Sequence, residues 1–160
     1  MSFPGPESRL KCCVGFCFLN TDEKQEVILV KKSRPKWQKG KLNGVGGAIE
    51  EMESPQVAMY REFLEETGIE TSLDDWKEIA TITEPNGVTI YIFAMVTKSR
   101  VDLSKVTDEE ISYFDIYEVL TDKYELVHDI KWLIPLAQQL VSHPYILTAK
   151  LESLTQYTKE

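Results

Sequence analysis

Short apolar stretches alternate with polar ones along the chain, at lengths that suit strands more often than helices. Residues 10–19 and 26–30 are apolar and are expected to be two strands, with the polar spacer between them as a hairpin loop. Residues 31–47, KKSRPKWQKGKLNGVGG, are rich in lysine and glycine and predict a loop. A helix is expected over Pro55–Thr67: Ser54 can cap it, Pro55 suits its first position, and Gly68 is a natural stop. Strands are expected at Lys77–Thr83 and 88–96, with Pro85-Asn86-Gly87 turning between them, and again at 112–116. Trp132, Leu133, Leu136, Ala137 and Leu140 recur at helical spacing and predict a last helix over 130–141. Hairpin-paired strands mixed with a few helices predict an α+β chain whose mixed sheet is covered by helices.

The chain's 160 residues suit a single domain over 1–160, with its core at about 9–142. A formal net charge of −8 argues against broad binding to nucleic acid or anionic membranes. It leaves room for a small anionic substrate, because a metal ion reverses the local sign. The first residues carry no apolar signal core, and no stretch approaches the ~18 apolar residues of a membrane span. A cytoplasmic protein is the resulting expectation. Cys12, Cys13 and Cys17 lie in the apolar run CCVGFCF with no CxxC pair, which predicts reduced thiols rather than zinc ligands.

The helix at 55–67 carries the chemistry. At about 100° per residue, Glu65 and Glu66 fall at about −60° and +40° from Glu62, so three carboxylates share one face. Val57, Tyr60, Phe63 and Leu64 are expected on the opposite, packing side. Like charges at these spacings destabilise a helix by a few tenths of a kcal/mol per pair, and the helix dipole disfavours them near its C-terminus. Divalent cations would offset that cost, whereas a solvated acidic face is the plain alternative.

The surrounding residues change the balance. From Gly47 the chain reads GAIEEMESPQVAMYREFLEETGI: Gly47, five residues, Glu53, seven residues, Arg61-Glu62-Phe63, one residue, Glu65-Glu66, one residue, Gly68-Ile69. This segment resembles the Nudix box at every defined position. The resemblance implies the Nudix fold, an α/β/α sandwich with a catalytic loop–helix–loop. It implies metal-binding roles for Glu62, Glu65 and Glu66 and for the Gly46 carbonyl, with Mg²⁺ as the cofactor and Mn²⁺ as a substitute. Arg61 and Glu53 match a pair that fixes the loop–helix–loop, and Gly47 and Gly68 match positions of special backbone geometry. The implied activity is attack by water on a diphosphate linked to a further group. Its general base is a helix glutamate or one from the later run VTDEEISYF, where Glu109 is favoured and Glu110 is second.

The further group is less legible. The basic segment 31–41, with Arg34 and Lys41, suits a phosphate clamp or a solvated loop. Trp37 suits base stacking or ordinary packing. The stretch Leu42-Asn43-Gly44-Val45-Gly46-Gly47 resembles that of MutT-like oxidised-purine nucleoside triphosphatases, which implies a base contact for Asn43. Turn formation is its alternative. Asp129 loosely matches a base-contacting aspartate in that branch, although capping of the last helix is the stronger expectation. Pro85 matches a proline of ADP-ribose hydrolases in the family, but also an ordinary turn. The expected substrate is therefore a (deoxy)nucleoside triphosphate, with oxidised purines as candidates, cut to monophosphate and pyrophosphate. ADP-ribose or a nucleotide sugar is the alternative, and a non-catalytic nucleotide-binding module is the alternative of another class. The expected partner is a small nucleotide, with neither nucleic acid nor membrane, on a monomer or homodimer.

Overall fold

The computed structural model describes residues 10–103 and 107–143, together with the backbone of 149–152. Both ends of the expected domain, residue 9 at the start of its core, and Val106 of the later acidic run lie outside the described residues. Strand β1 (Lys11–Asn20) lies at the centre of a mixed sheet. It pairs antiparallel with β2 (Gln25–Lys31) through Phe18, Leu19 and Asn20, and runs parallel to β6 (Thr89–Thr97) along nearly its full length. The segment read as a loop over 31–47 contains two short strands, β3 (Leu42–Asn43) and β4 (Val45–Ala48). β3 pairs with β2, and β4 takes the edge of β1 from Cys12 to Gly15 that β2 leaves open. Gly44 between them and Gly46 and Gly47 within β4 hide these strands from a propensity reading, because long-range pairing sets strand state here. β5 (Lys77–Thr83) pairs antiparallel with β6, as the Pro85-Asn86-Gly87 turn suggests, and β8 (Ala149–Glu152), not foreseen, joins its far side. β7 (Glu110–Asp115) pairs with β2.

Alternation along the strands sorts the core into two layers. Phe16, Phe18, Val27, Leu29, Ile92 and Ala94 face two helices, α2 (Ile116–Leu120), absent from the sequence reading, and α3 (Ile130–Ser142). Cys13, Cys17, Ile28, Phe93 and Met95 face α1 (Pro55–Thr67) and Trp76. Each layer is closed by interdigitated apolar side chains, so the sheet is a helix/sheet/helix sandwich. Burial pushes the thiols of Cys13 and Cys17 up to about 12, and all three cysteines are free. Trp132, one of the apolar residues whose spacing predicts α3, is exposed. No described helix is long and apolar enough to cross a membrane.

Candidate active site

Helix α1 begins and ends where the sequence implies. The Ser54 hydroxyl accepts the Val57 N–H at 3.2 Å, and Gly68, at φ 73°, donates its N–H to Leu64 O at 2.9 Å. Its packing face differs from the expected one. Ala58, Met59, Phe63 and Thr67 are buried, while Val57 is exposed and Tyr60 and Leu64 are half-buried. The buried stripe lies about 60° from Glu62 at Met59 and about 100° at Phe63, so it borders the carboxylates instead of opposing them. Glu62 and Glu66 are thereby drawn towards the sheet, and only the Glu65 side chain stays open, at 58% exposure.

Arg61 interlocks the loop with the helix. Its Nε and Nη2 donate to the two oxygens of Glu53 at 2.7 and 2.9 Å, a two-pronged pair. Nη2 also reaches Ala48 O at 3.1 Å, at the end of β4, and Nη1 donates to Glu62 at 2.8 Å and Glu65 at 3.4 Å. Glu53 in turn accepts the Glu50 N–H at 2.9 Å. The hydrogen bonds from Arg61 hold the Glu53 carboxyl below the ordinary range.

Strand β4 makes the floor. A methyl group at Gly46 would meet the Cys13 carbonyl oxygen at 1.9 Å, and one at Gly47 would meet a Glu62 carboxylate oxygen at 2.5 Å. Only glycine lets β4 lie this close to β1 while Glu62 folds over it. Beside it, Glu66 Oε2 is buried without a hydrogen-bond partner. Burial pushes the Glu66 carboxyl up to about 7 against the pull of Lys32, with Glu62, Glu109 and Glu65 adding repulsion.

An orphaned carboxylate oxygen beside Glu62 is the donor chemistry a hard divalent cation takes. Among the described residues no three acidic, Cys or His side chains form a ready-made cage, and Arg61 engages Glu62 and Glu65. Magnesium commonly needs only one or two carboxylates and completes its shell with water and substrate phosphate, so this open arrangement fits it.

Glu109 joins these residues across the fold. Its carboxylate accepts from Lys32 Nζ at 2.9 Å and from the Ser33 N–H and hydroxyl at 2.7 and 3.0 Å. Burial raises its proton affinity, but these bonds outweigh it and leave the carboxyl below the usual value. Glu110 is exposed at the start of β7. Lys32, not singled out from its basic run, is the cation of that segment placed between Glu109 and Glu66, and no local pattern distinguishes it from its neighbours.

Next to the carboxylates, between the sheet and the start of α3, lies a cavity of about 710 Å³. Gly46, Gly47 and Lys32 line it near the carboxylates. Trp37, Asn43 and Asp129 line it too, as does Glu84, which the sequence reading missed. Arg34 and Lys41 are not among its lining residues. Asn43 Oδ1 accepts the Gly44 N–H at 2.8 Å and its Nδ2 donates to Gln38 at 3.4 Å, so it makes the turn and also faces the cavity. Asp129 makes no capping hydrogen bond to α3, contrary to expectation; its Oδ1 lies 3.1 Å from His128 Nε2. With αR backbone angles, Asp129 lacks the extended conformation in which a side chain reaches forward to cap.

A family model for the NUDIX domain matches residues 13–133. No curated protein matches the chain by sequence. Among solved structures it is similar to a MutT/nudix family protein from Enterococcus faecalis, with 17% identity, TM-score 0.75, and 89% of this chain covered. This chain spans 65% of that protein's length. It is also similar to the NUDIX domain of Shewanella oneidensis NrtR complexed with ADP ribose (18% identity, TM-score 0.72, 84% of this chain and 90% of that one). NrtR is also described in complex with a 27mer DNA. A third is MutT, from a study of Aliivibrio salmonicida and Vibrio cholerae (17% identity, TM-score 0.61, 86% of this chain and 99% of that one). Nudix hydrolases generally use divalent metal ions. The chain belongs to the Nudix family.

Proposed function

We propose that the protein hydrolyses a (deoxy)nucleoside triphosphate, with oxidised purines as candidates, to monophosphate and pyrophosphate, using Mg²⁺ or in its place Mn²⁺. The observation that carries this reading is the orphaned Glu66 oxygen near Glu62, which packs on Gly47 in the wall of a cavity large enough for a nucleotide. Glu62, Glu65, Glu66 and the Gly46 carbonyl would hold the metal. When bound, it neutralises the diphosphate and acidifies water. Water adds to a phosphorus, the bond to the leaving phosphate oxygen breaks, and the proton passes to a carboxylate. Glu109 is the acceptor we favour, because Lys32 and Ser33 hold it ionised and oriented. Arg61 and Glu53 keep the glutamates in register with the floor. Trp37, Asn43 and Asp129 contact the base, while Arg34 and Lys41, away from the cavity lining, reach only phosphates that extend out of it.

A second reading is hydrolysis of ADP-ribose or a nucleotide sugar. The complex of the similar NrtR domain with ADP ribose and the position of Pro85 favour it. Incubation with Mg²⁺ and a nucleotide panel, with products separated by chromatography, distinguishes the two. Pyrophosphate from triphosphates supports the first, and AMP plus ribose phosphate supports the second. Tight binding without products would mean a non-catalytic binding module.

A further inference from the structure

Glu84 is a buried carboxylate that neither the box nor the proposed hydrolysis uses. It follows β5, is only 8% exposed, and lines the cavity with Asn86 and Asp129. Among the described residues it forms no ion pair with Lys or Arg; Asn86 supplies a hydrogen bond, and Asp129 and His128 are close enough to act on its charge. Burying a carboxylate without a lysine or arginine partner is costly, so its place in the wall of a mostly apolar cavity asks for a ligand that donates to it.

The cavity has direction. Cys12 also lines it, paired on one side with Ala48 of β4, next to Gly47 and Glu62, and on the other with Ile90 of β6, which pairs with Ile82 of β5 shortly before Glu84. A nucleotide whose phosphates lie by Glu62 and Gly47 would therefore place its base towards Glu84 and Asp129. Ionised carboxylates only accept hydrogen bonds. Of the common base edges, one offering a ring N–H next to an exocyclic amino group gives two adjacent donors; an edge with one donor beside an acceptor gives half the match and sets a lone pair against an oxygen.

We infer that Glu84, with Asp129, is the base-selecting residue of this site and takes a nucleotide whose base presents a ring N–H beside an exocyclic amino group. This rests on the proposed nucleotide-hydrolysing reading for the orientation of the ligand. A pocket built to accept such donors discriminates strongly against a base that lacks one of them.

The test compares guanosine and inosine triphosphates, whose bases differ only by the exocyclic amino group. Turnover with Mg²⁺ and calorimetric binding of the α,β-methylene analogues are measured on the full chain. We expect the guanine nucleotide to be favoured at least ~10-fold in both readouts. Glu84→Gln, close in shape, and Asp129→Asn should each cut that ratio below about threefold. An equal response of the wild type to both nucleotides, no binding of either, or a full preference kept in both variants overturns the inference. So does a Glu84→Gln protein that melts earlier while its preference is intact, because Glu84 would then only support the 84–88 turn. Preferential binding without cleavage supports the inference and refutes hydrolysis. Cleavage without preference does the reverse.

Discussion

The box and the base cavity meet at β4, yet they are built in opposite ways. The box is local: Glu53, Arg61, Glu62, Glu65 and Glu66 lie within one loop and helix, and Arg61 ties Glu53, Glu62 and Glu65 together. The cavity is assembled from β1, β5, β6, the 35–38 segment and the start of α3. A local site carries its geometry in residue spacing, whereas a dispersed one depends on the topology that gathers it. Substitutions in the box should therefore abolish activity on every nucleotide, and those in the cavity should change which nucleotide is used.

The largest effect is expected at Glu66. Glu66→Gln should lower kcat by at least ~100-fold with far-ultraviolet circular dichroism unchanged. A variant near the wild-type rate would remove Glu66 from the chemistry. Arg61→Ala should rank next, because it breaks the ties to Glu53, Glu62 and Ala48 together. Activity should fall on all substrates and stability by about 2 kcal/mol, read as a drop in Tm. Gly47→Ala would drive a methyl group into Glu62 and should weaken metal affinity about 10-fold by calorimetry.

A smaller effect follows from pH. The Glu66 carboxyl of the metal-free protein is pushed up to about 7, above its unfolded value near 4.5. A raised carboxyl makes the folded state bind more protons, so this contribution is fully present below the unfolded value and is lost as pH rises towards 7. The metal-free Tm should decline between pH 5 and 8, and saturating Mg²⁺ should reverse the decline at the upper end. The smallest contrast lies in the basic segment. Lys32→Ala should slow turnover about 10-fold by releasing Glu109, whereas Arg34→Ala and Lys41→Ala should change kcat less than about threefold. Comparable losses at all three would restore the picture of a general phosphate clamp.

These contrasts also mark what the chain discloses before it folds. Helix α1 was legible to the residue, because Ser54, Pro55 and Gly68 act on neighbouring backbone. Its packing face was misjudged, since Met59 and Phe63 lie beside Glu62 and Glu66 on the helix wheel and only the sheet decides which side is covered. Strands β3 and β4 were hidden in a glycine-rich stretch whose pairing partners, β2 for β3 and β1 for β4, lie well before it in the chain. Lys32 looks like any other lysine of its run until β2 and the residue before β7 bring it to Glu109. Glu84 follows a strand and precedes a turn, a place where an acidic side chain usually meets water; only the cavity gives it another meaning.

The most direct test is a titration of the wild type and Glu66→Gln with Mn²⁺ in the presence of a non-hydrolysable nucleotide, followed by electron paramagnetic resonance. Manganese should bind the wild type with nucleotide present, and at least ~10-fold more weakly in the variant. Equal binding to the two proteins, or none to either, would contradict a divalent ion held against a diphosphate by the glutamates of α1.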